Sequence, residues 1–260
     1  MIDTHCHLLP GIDDGPADLE RALGMARIAV EDGVRTAIVT PHMREGLFLN
    51  ERPAILEAVD RFREALAAHD IPLRIVPGSE VHLGPRLAER ISAGRLMTYG
   101  DAGRYLLLEC PDRARPPRLE ETIFELRVAG VTPVLAHPER IRHFRDDPES
   151  YEEMLRLGAL GQITASSLLG TFGPAIRSLS EEWVRRGLVH LLGSDAHDRS
   201  YRPPRLAAAR RRWAELAGEE SARLATEVWP EALIEGAAIE PPEPRPPERR
   251  SLWRRWFGAS

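Results

Sequence analysis

Seven short apolar runs, each followed by an amphipathic stretch, pace this chain to about residue 235. The strand candidates are Met1–His7, Thr36–His42, Leu73–Val81, Tyr105–Cys110, Val131–His137, Gly161–Ala165 and His190–Ser194. Helical patterns lie between them. In 18–31, Leu19, Ala22, Leu23, Ala26, Ala29 and Val30 recur at helical spacing, with Asp18 as N-cap and Gly33 as stop. The same logic places helices over 53–68, 120–129, 149–157, 175–186 and 204–217. Strand, helix, strand, repeated, means parallel strands joined by right-handed crossovers. About seven units in roughly 235 residues predict an α/β fold, a closed or nearly closed barrel. An open doubly wound sheet is the alternative, weakened because no Gly-rich loop follows the first run.

The ends of these runs carry the chemistry. His5 and His7 end the first, His42 the second, Glu80 the third, Glu109 the fourth, His137 the fifth, and Asp195 and His197 the seventh. In a parallel barrel all carboxyl ends meet at one face. The i, i+2 spacing of His5/His7 and of Asp195/His197 puts both members of each pair on one side of a strand. A single strand-end His or Glu is more often packing than ligand. Eight together are not, because burying them without balancing cations is costly. The remaining four histidines, His69, His82, His143 and His190, read as surface, loop or wrong-end residues, His82 being ambiguous through its shared face with Glu80. Imidazole and carboxylate without thiolate suit Mn, Fe, Zn or Mg. Eight ligands predict two or three divalent ions. Ions ~3.5–4 Å apart clamp both oxygens of a phosphoryl displacement and lower the pKa of bound water to about 7, so the expected nucleophile is a metal-activated hydroxide.

Asp13 and Asp14 sit on the first loop, as acid/base, ligand or supporting groups, or as an ordinary Asp-Gly turn. Arg140 and Arg202 lie on loops of the same face, where guanidinium forks match phosphate oxygens; the bland alternative is a solvated Arg.

The runs Ile2-Asp3-Thr4-His5-Cys6-His7-Leu8-Leu9-Pro10-Gly11-Ile12-Asp13-Asp14-Gly15, Thr40-Pro41-His42, Pro77-Gly78-Ser79-Glu80, His137-Pro138-Glu139-Arg140, Gln162-Ile163-Thr164-Ala165-Ser166-Ser167-Leu168 and Ser194-Asp195-Ala196-His197 cover nearly the whole chain in order. With them the sequence resembles the polymerase-and-histidinol-phosphatase (PHP) superfamily, and within it the bacterial manganese-dependent protein-tyrosine phosphatases of capsule and exopolysaccharide operons. The resemblance implies a distorted (β/α)7 TIM-like barrel, the PHP fold, with a metal cluster at its mouth, manganese as the ion, and His5, His7, His42, Glu80, Glu109, His137, Asp195 and His197 as ligands. It implies acid/base and phosphate-contacting roles for Asp14, Arg140 and Arg202. It further implies a phosphotyrosine protein as substrate, with a bacterial tyrosine kinase as partner. Two positions depart from the pattern: His82, where a different residue is expected, and Met43, where several relatives carry a further His.

Other classes are constrained by composition. A thiol-based phosphatase needs Cys, five residues, then Arg; the sixth residue after Cys6 is Ile12 and after Cys110 is Pro116. Both cysteines read as buried, reduced thiols. Thirty-five basic against 40 acidic residues give a net charge of −5, which argues against nucleic acid. A phosphatase of a small phosphomonoester such as histidinol phosphate is the alternative on the same fold. No secretory pattern and no apolar run of ~20 residues is present, so a cytoplasmic enzyme is expected. The barrel is expected over 1–239. Residues 240–260 read as a proline-rich linker and a basic-aromatic tail, Arg249–Phe257, either a disordered end or a contact for a partner or the inner membrane surface. A homo-oligomer is compatible with all of this.

Overall fold

Every apolar run contributes parallel strand, whole or in two pieces, to the computed structural model, which describes residues 1–112 and 115–246. β1 (Ile2–Cys6), β2 (Thr36–Val39) and β5 (Arg74–Pro77) form one parallel sheet. A second sheet holds, in spatial order, β10 (Leu191–Gly193), β9 (Leu160–Thr164), β8 (Thr132–Ala136), β7 (Tyr105–Glu109), β6 (Glu80–His82), β3 (His42–Arg44) and β4 (Phe48–Leu49). Among the described residues only the β3–β4 hairpin is antiparallel.

The two sheets are parts of one ring. The runs 36–42 and 73–81, expected as single strands, each break midway. Pro41 has no N–H for the ladder, and Gly78-Ser79 bends the neighbouring run. Their first halves lie in the small sheet and their second halves in the large one, so His42 and Glu80 open strands rather than end them. At the opposite seam Asp195 N–H donates to the His5 carbonyl (2.7 Å) and His7 N–H to the Ala196 carbonyl (2.9 Å), joining β1 to the chain leaving β10. The ring is thus a distorted seven-segment barrel, with β4 as an added edge.

Helices α1 (Leu19–Glu31), α2 (Arg52–Ala68), α3 (Leu87–Ser92), α4 (Leu119–Val128), α5 (Arg142–Asp146), α6 (Pro148–Arg156), α7 (Ala165–Leu169), α8 (Pro174–Arg186) and α9 (Ala207–Ala217) connect the strands or follow the last of them. In α1, Asp18 Oδ1 accepts from Arg21 N–H at 2.9 Å, as a capping carboxylate does, and the face Ala22, Leu23, Met25, Ala26 and Ala29 is buried. The helix expected from Pro204 starts only at Ala207, because Asp32, far away in sequence, accepts from the N–H groups of Leu206 and Ala207. Strand alternation splits the core. Leu106, Leu108, Leu135 and Leu192 pack under the helices, while Leu107, Val134, Ala136 and Leu191 fill the barrel with Tyr99 and Leu233. Leu233 comes from α11 (Trp229–Glu235), which follows α10 (Glu219–Arg223) and a π turn and closes the barrel floor. Beyond it, Tyr105 Oη donates to the Ala237 carbonyl and accepts from Ile239 N–H, and Arg245 N–H donates to the Arg186 carbonyl, tying the proline-rich segment to the floor. The basic-aromatic tail lies outside the described residues.

Candidate metal centre

All eight sequence-predicted ligands meet at the carboxyl end of the ring. His5 and His7 stand at the end of β1, their Nε2 atoms 3.2 Å apart. Glu80 is the hub. Its carboxylate lies 3.3 Å from His5 Nε2, 3.5 Å from His7 Nε2, 3.0 Å from His42 Nδ1 and 2.9 Å from His137 Nε2. Asp195 Oδ1 lies 3.4 Å from His5 and 3.7 Å from both His7 and His197. Glu109 shares a ligand-sized space with His42 and Glu80; His7, Asp14, His42 and His197 share another; His5, His7 and Glu80 share a third. His137 and Asp195 adopt positive φ, 35° and 53°, in the left-handed region disfavoured for residues with a side chain. Such strain persists where the surroundings hold it, and here it turns an imidazole and a carboxylate into the mouth.

These donors fit cations. His42 Nδ1, Glu80 Oε2 and His137 Nδ1 are buried with no hydrogen-bond partner, although the first two lie 3.0 Å apart. Uncommitted buried lone pairs on hard and borderline donors are what Mn, Fe, Zn or Mg would bind. Burial works against protonation of His42, but the nearby carboxylates of Asp14 and Glu80 prevail and push its pKa up to about 11. For His7, burial is likewise outweighed by Asp13, and the pKa rises to about 9.

The structure separates the two loop carboxylates. Asp13 is turned inward: Oδ2 lies 2.7 Å from His7 Nδ1, and Oδ1 accepts from Gly15 N–H. Asp14 faces the mouth, half exposed, 3.3 Å from His42 Nε2 and 3.2 Å from His197 Nε2. Burial raises its pKa, but His197 and His42 outweigh that and hold it well below the usual carboxylate range. Arg140 and Arg202 converge on Asp195 Oδ2, and Arg140 also lies over the Phe172 ring at 5.0 Å. Phe48 stacks on His42.

Several supporting residues escaped the sequence reading. Gln162 Oε1 lies 2.8 Å from His5 Nδ1 and orients that ring. Asp3, buried, accepts from the Ser194 hydroxyl and N–H and ties β1 to the segment bearing Asp195. Glu139, fully buried, accepts from the Thr164 N–H and hydroxyl. Gln162 and Thr164 lie in a run the sequence does single out, on the strand without a ligand. His82 Nδ1 lies 2.9 Å from Glu109 Oε2, so this departure from the family pattern borders the cluster. Cys6 packs in the helix-side core, its Sγ 3.4 Å from the Ile38 carbonyl, and burial pushes its thiol pKa well up.

A parallel barrel whose mouth gathers imidazoles, carboxylates and two arginines defines a metal-dependent hydrolase of phosphate esters or chemically related substrates. Comparison narrows the class: residues 1–235 match the family described as capsular polysaccharide synthesis, CpsB/CapC, and the chain belongs to it. It is 36% identical over 253 residues to the tyrosine-protein phosphatase YwqE of Bacillus subtilis (strain 168), covering 97% of this chain and 99% of the relative. It is 32% identical to the putative tyrosine-protein phosphatase CapC of Staphylococcus aureus over 203 residues, 78% of this chain and 79% of the relative. It superposes with a TM-score of 0.91, over 96% of this chain and 100% of the other, on a structure solved in work on YwqE and on CpsB of Streptococcus pneumoniae, described as metal-dependent tyrosine phosphatases.

Proposed function

We infer that the protein is a metal-dependent protein-tyrosine phosphatase acting in capsular or exopolysaccharide synthesis. The observation that carries this reading is the convergence of eight metal-type donors and two guanidinium groups in a chain of the CpsB/CapC family. His5, His7, His42, Glu80, Glu109, His137, Asp195 and His197 would hold two or three divalent ions, manganese first among the candidates. Ions bound there supply Lewis-acid charge at the phosphate and make bound water acidic enough to be deprotonated near neutral pH.

This chain's own residues then do the rest. Arg140 and Arg202, already aimed at one point beside Asp195, hold the phosphate oxygens. Asp14 stands at the rim, 3.3 Å from His42 Nε2 and 3.2 Å from His197 Nε2, where it would relay a proton to the departing phenolate. A phenol with pKa about 10 leaves readily, so that donor need not be strong. Asp13, Gln162 and Asp3 fix the imidazoles and the strand seam. Burial keeps Cys6 out of the chemistry.

The substrate is a phosphotyrosine protein, and a bacterial tyrosine kinase is the partner proposed. No helix among the described residues is long and apolar enough to cross a membrane. The reading places the enzyme in the cytoplasm, with the arginine- and tryptophan-bearing tail as a contact for the inner membrane surface; deleting 241–260 should then weaken binding to anionic vesicles. The decisive experiment measures rates on a phosphotyrosine peptide and on histidinol phosphate, with elemental analysis of the same protein. Preference for histidinol phosphate, or full activity in metal-stripped protein, would overturn the reading.

A further inference from the structure

Beside the metal cluster lies a second cleft, of about 410 Å3, that shares Asp14 and His197 with it and continues over Gly15, Arg21, Asp198 and Arg199. Its anions are already committed. Asp14 faces His42 and His197. Asp198 accepts from the N–H groups of Ser200, Tyr201 and Arg202. Arg21 lies 3.4 Å from Asp18. Arg199 has no ion pair among the described residues, yet it is placed. Its side chain lies across α1 at Gly24, where a methyl group would meet Arg199 Cδ at 2.7 Å and Nη1 at 2.9 Å. Glycine is a poor residue for a helix interior. Here it leaves the notch in which an arginine rests, one that is not among the guanidinium groups converging on Asp195.

We propose that Arg199, seated over Gly24, is a specificity-determining residue that binds an acidic side chain flanking the phosphotyrosine of the substrate. A phosphate held at the metal centre leaves the peptide to cross the adjoining cleft, and the one guanidinium there without an anion is Arg199. The partner surface is therefore an acidic peptide segment within a residue or two of the phosphotyrosine. This rests on the phosphatase reading above and adds the sequence context it selects.

The test uses the metal-loaded full chain, with free phosphotyrosine as reference and two phosphotyrosine peptides, one flanked by glutamates and one by lysines. The readout is the ratio of kcat/KM for the glutamate peptide over the lysine peptide. Wild type should favour glutamate several-fold, chiefly through KM. Arg199→Ala should bring the ratio toward one, and Arg199→Glu should invert it. Gly24→Ala keeps the charge but displaces it, and should also lower the ratio. A wild-type ratio of one, or a ratio that Arg199→Glu leaves in place, overturns the inference while turnover of free phosphotyrosine leaves the phosphatase reading standing. No turnover of any of the three substrates overturns both.

Discussion

Asp13 Oδ2 lies 2.7 Å from His7 Nδ1, which turns the opposite nitrogen, Nε2, toward His5 and Glu80. The same Oδ2 accepts from His42 N–H at 3.2 Å, so one carboxylate positions two segments that bear candidate ligands. Asp13 therefore acts behind the imidazoles, and Asp14 acts in front of them.

Replacing Asp13 by Asn keeps the shape and removes the charge. The expected result is a 10- to 100-fold loss of manganese affinity, the usual cost of removing a carboxylate behind a ligating histidine. Chelator-competition titration reads it directly; unchanged affinity would show that the His7 ring is held by packing alone.

Arg140→Ala and Arg202→Ala should each lower kcat/KM for phosphotyrosine by about 10- to 100-fold, since each removes a charged contact of about 1.5–3 kcal/mol. Because both guanidinium groups meet the same Asp195 oxygen, the double variant should fall short of the product of the two losses. A fully multiplicative double variant would mean that they act independently.

Cys6 stands between two candidate ligands but offers no thiolate. Cys6→Ala should keep most of the activity and cost about 1 kcal/mol in denaturant unfolding, an ordinary value for a small core truncation. EDTA, by contrast, should abolish activity in wild type and variant alike, with recovery on adding manganese. Loss of activity on Cys6→Ala in a folded, metal-loaded protein would reopen thiol chemistry.

His190 sits at the far end of the barrel, buried, with Nδ1 accepting from Gly161 N–H at 3.0 Å. Burial lowers its pKa to about 4. Below pH 6.5 the unfolded chain takes up a proton that the folded chain refuses, so stability is full above 6.5 and falls as the pH drops toward 4. At 1.36 kcal/mol per pKa unit this group accounts for about 3 kcal/mol of acid destabilisation. His190→Gln should flatten that part of the stability-against-pH curve relative to wild type; superimposable slopes would refute the assignment.

The sequence by itself determined the strand–helix order and singled out the candidate donors that gather at the mouth. Apolar period and strand-end position are local properties, legible in His5/His7 and in Asp195/His197 without coordinates. What it could not determine was how the runs bend. Pro41 and Gly78 were visible, but that they split two strands between two sheets, so that His42 and Glu80 open strands, depends on which neighbours pair. Nor could it separate Asp13 from Asp14, adjacent in sequence and opposite in direction, because a loop's path is set by contacts with residues such as His7 and His42. Gln162, Asp3 and Glu139 are supporting groups whose partners lie 25 to 191 residues away. Gly24 lies within the first helical pattern, and only the fold puts Arg199 across it. Local periodicity writes the elements and their chemistry into the chain, whereas distances between far-separated side chains exist only once the ring has closed.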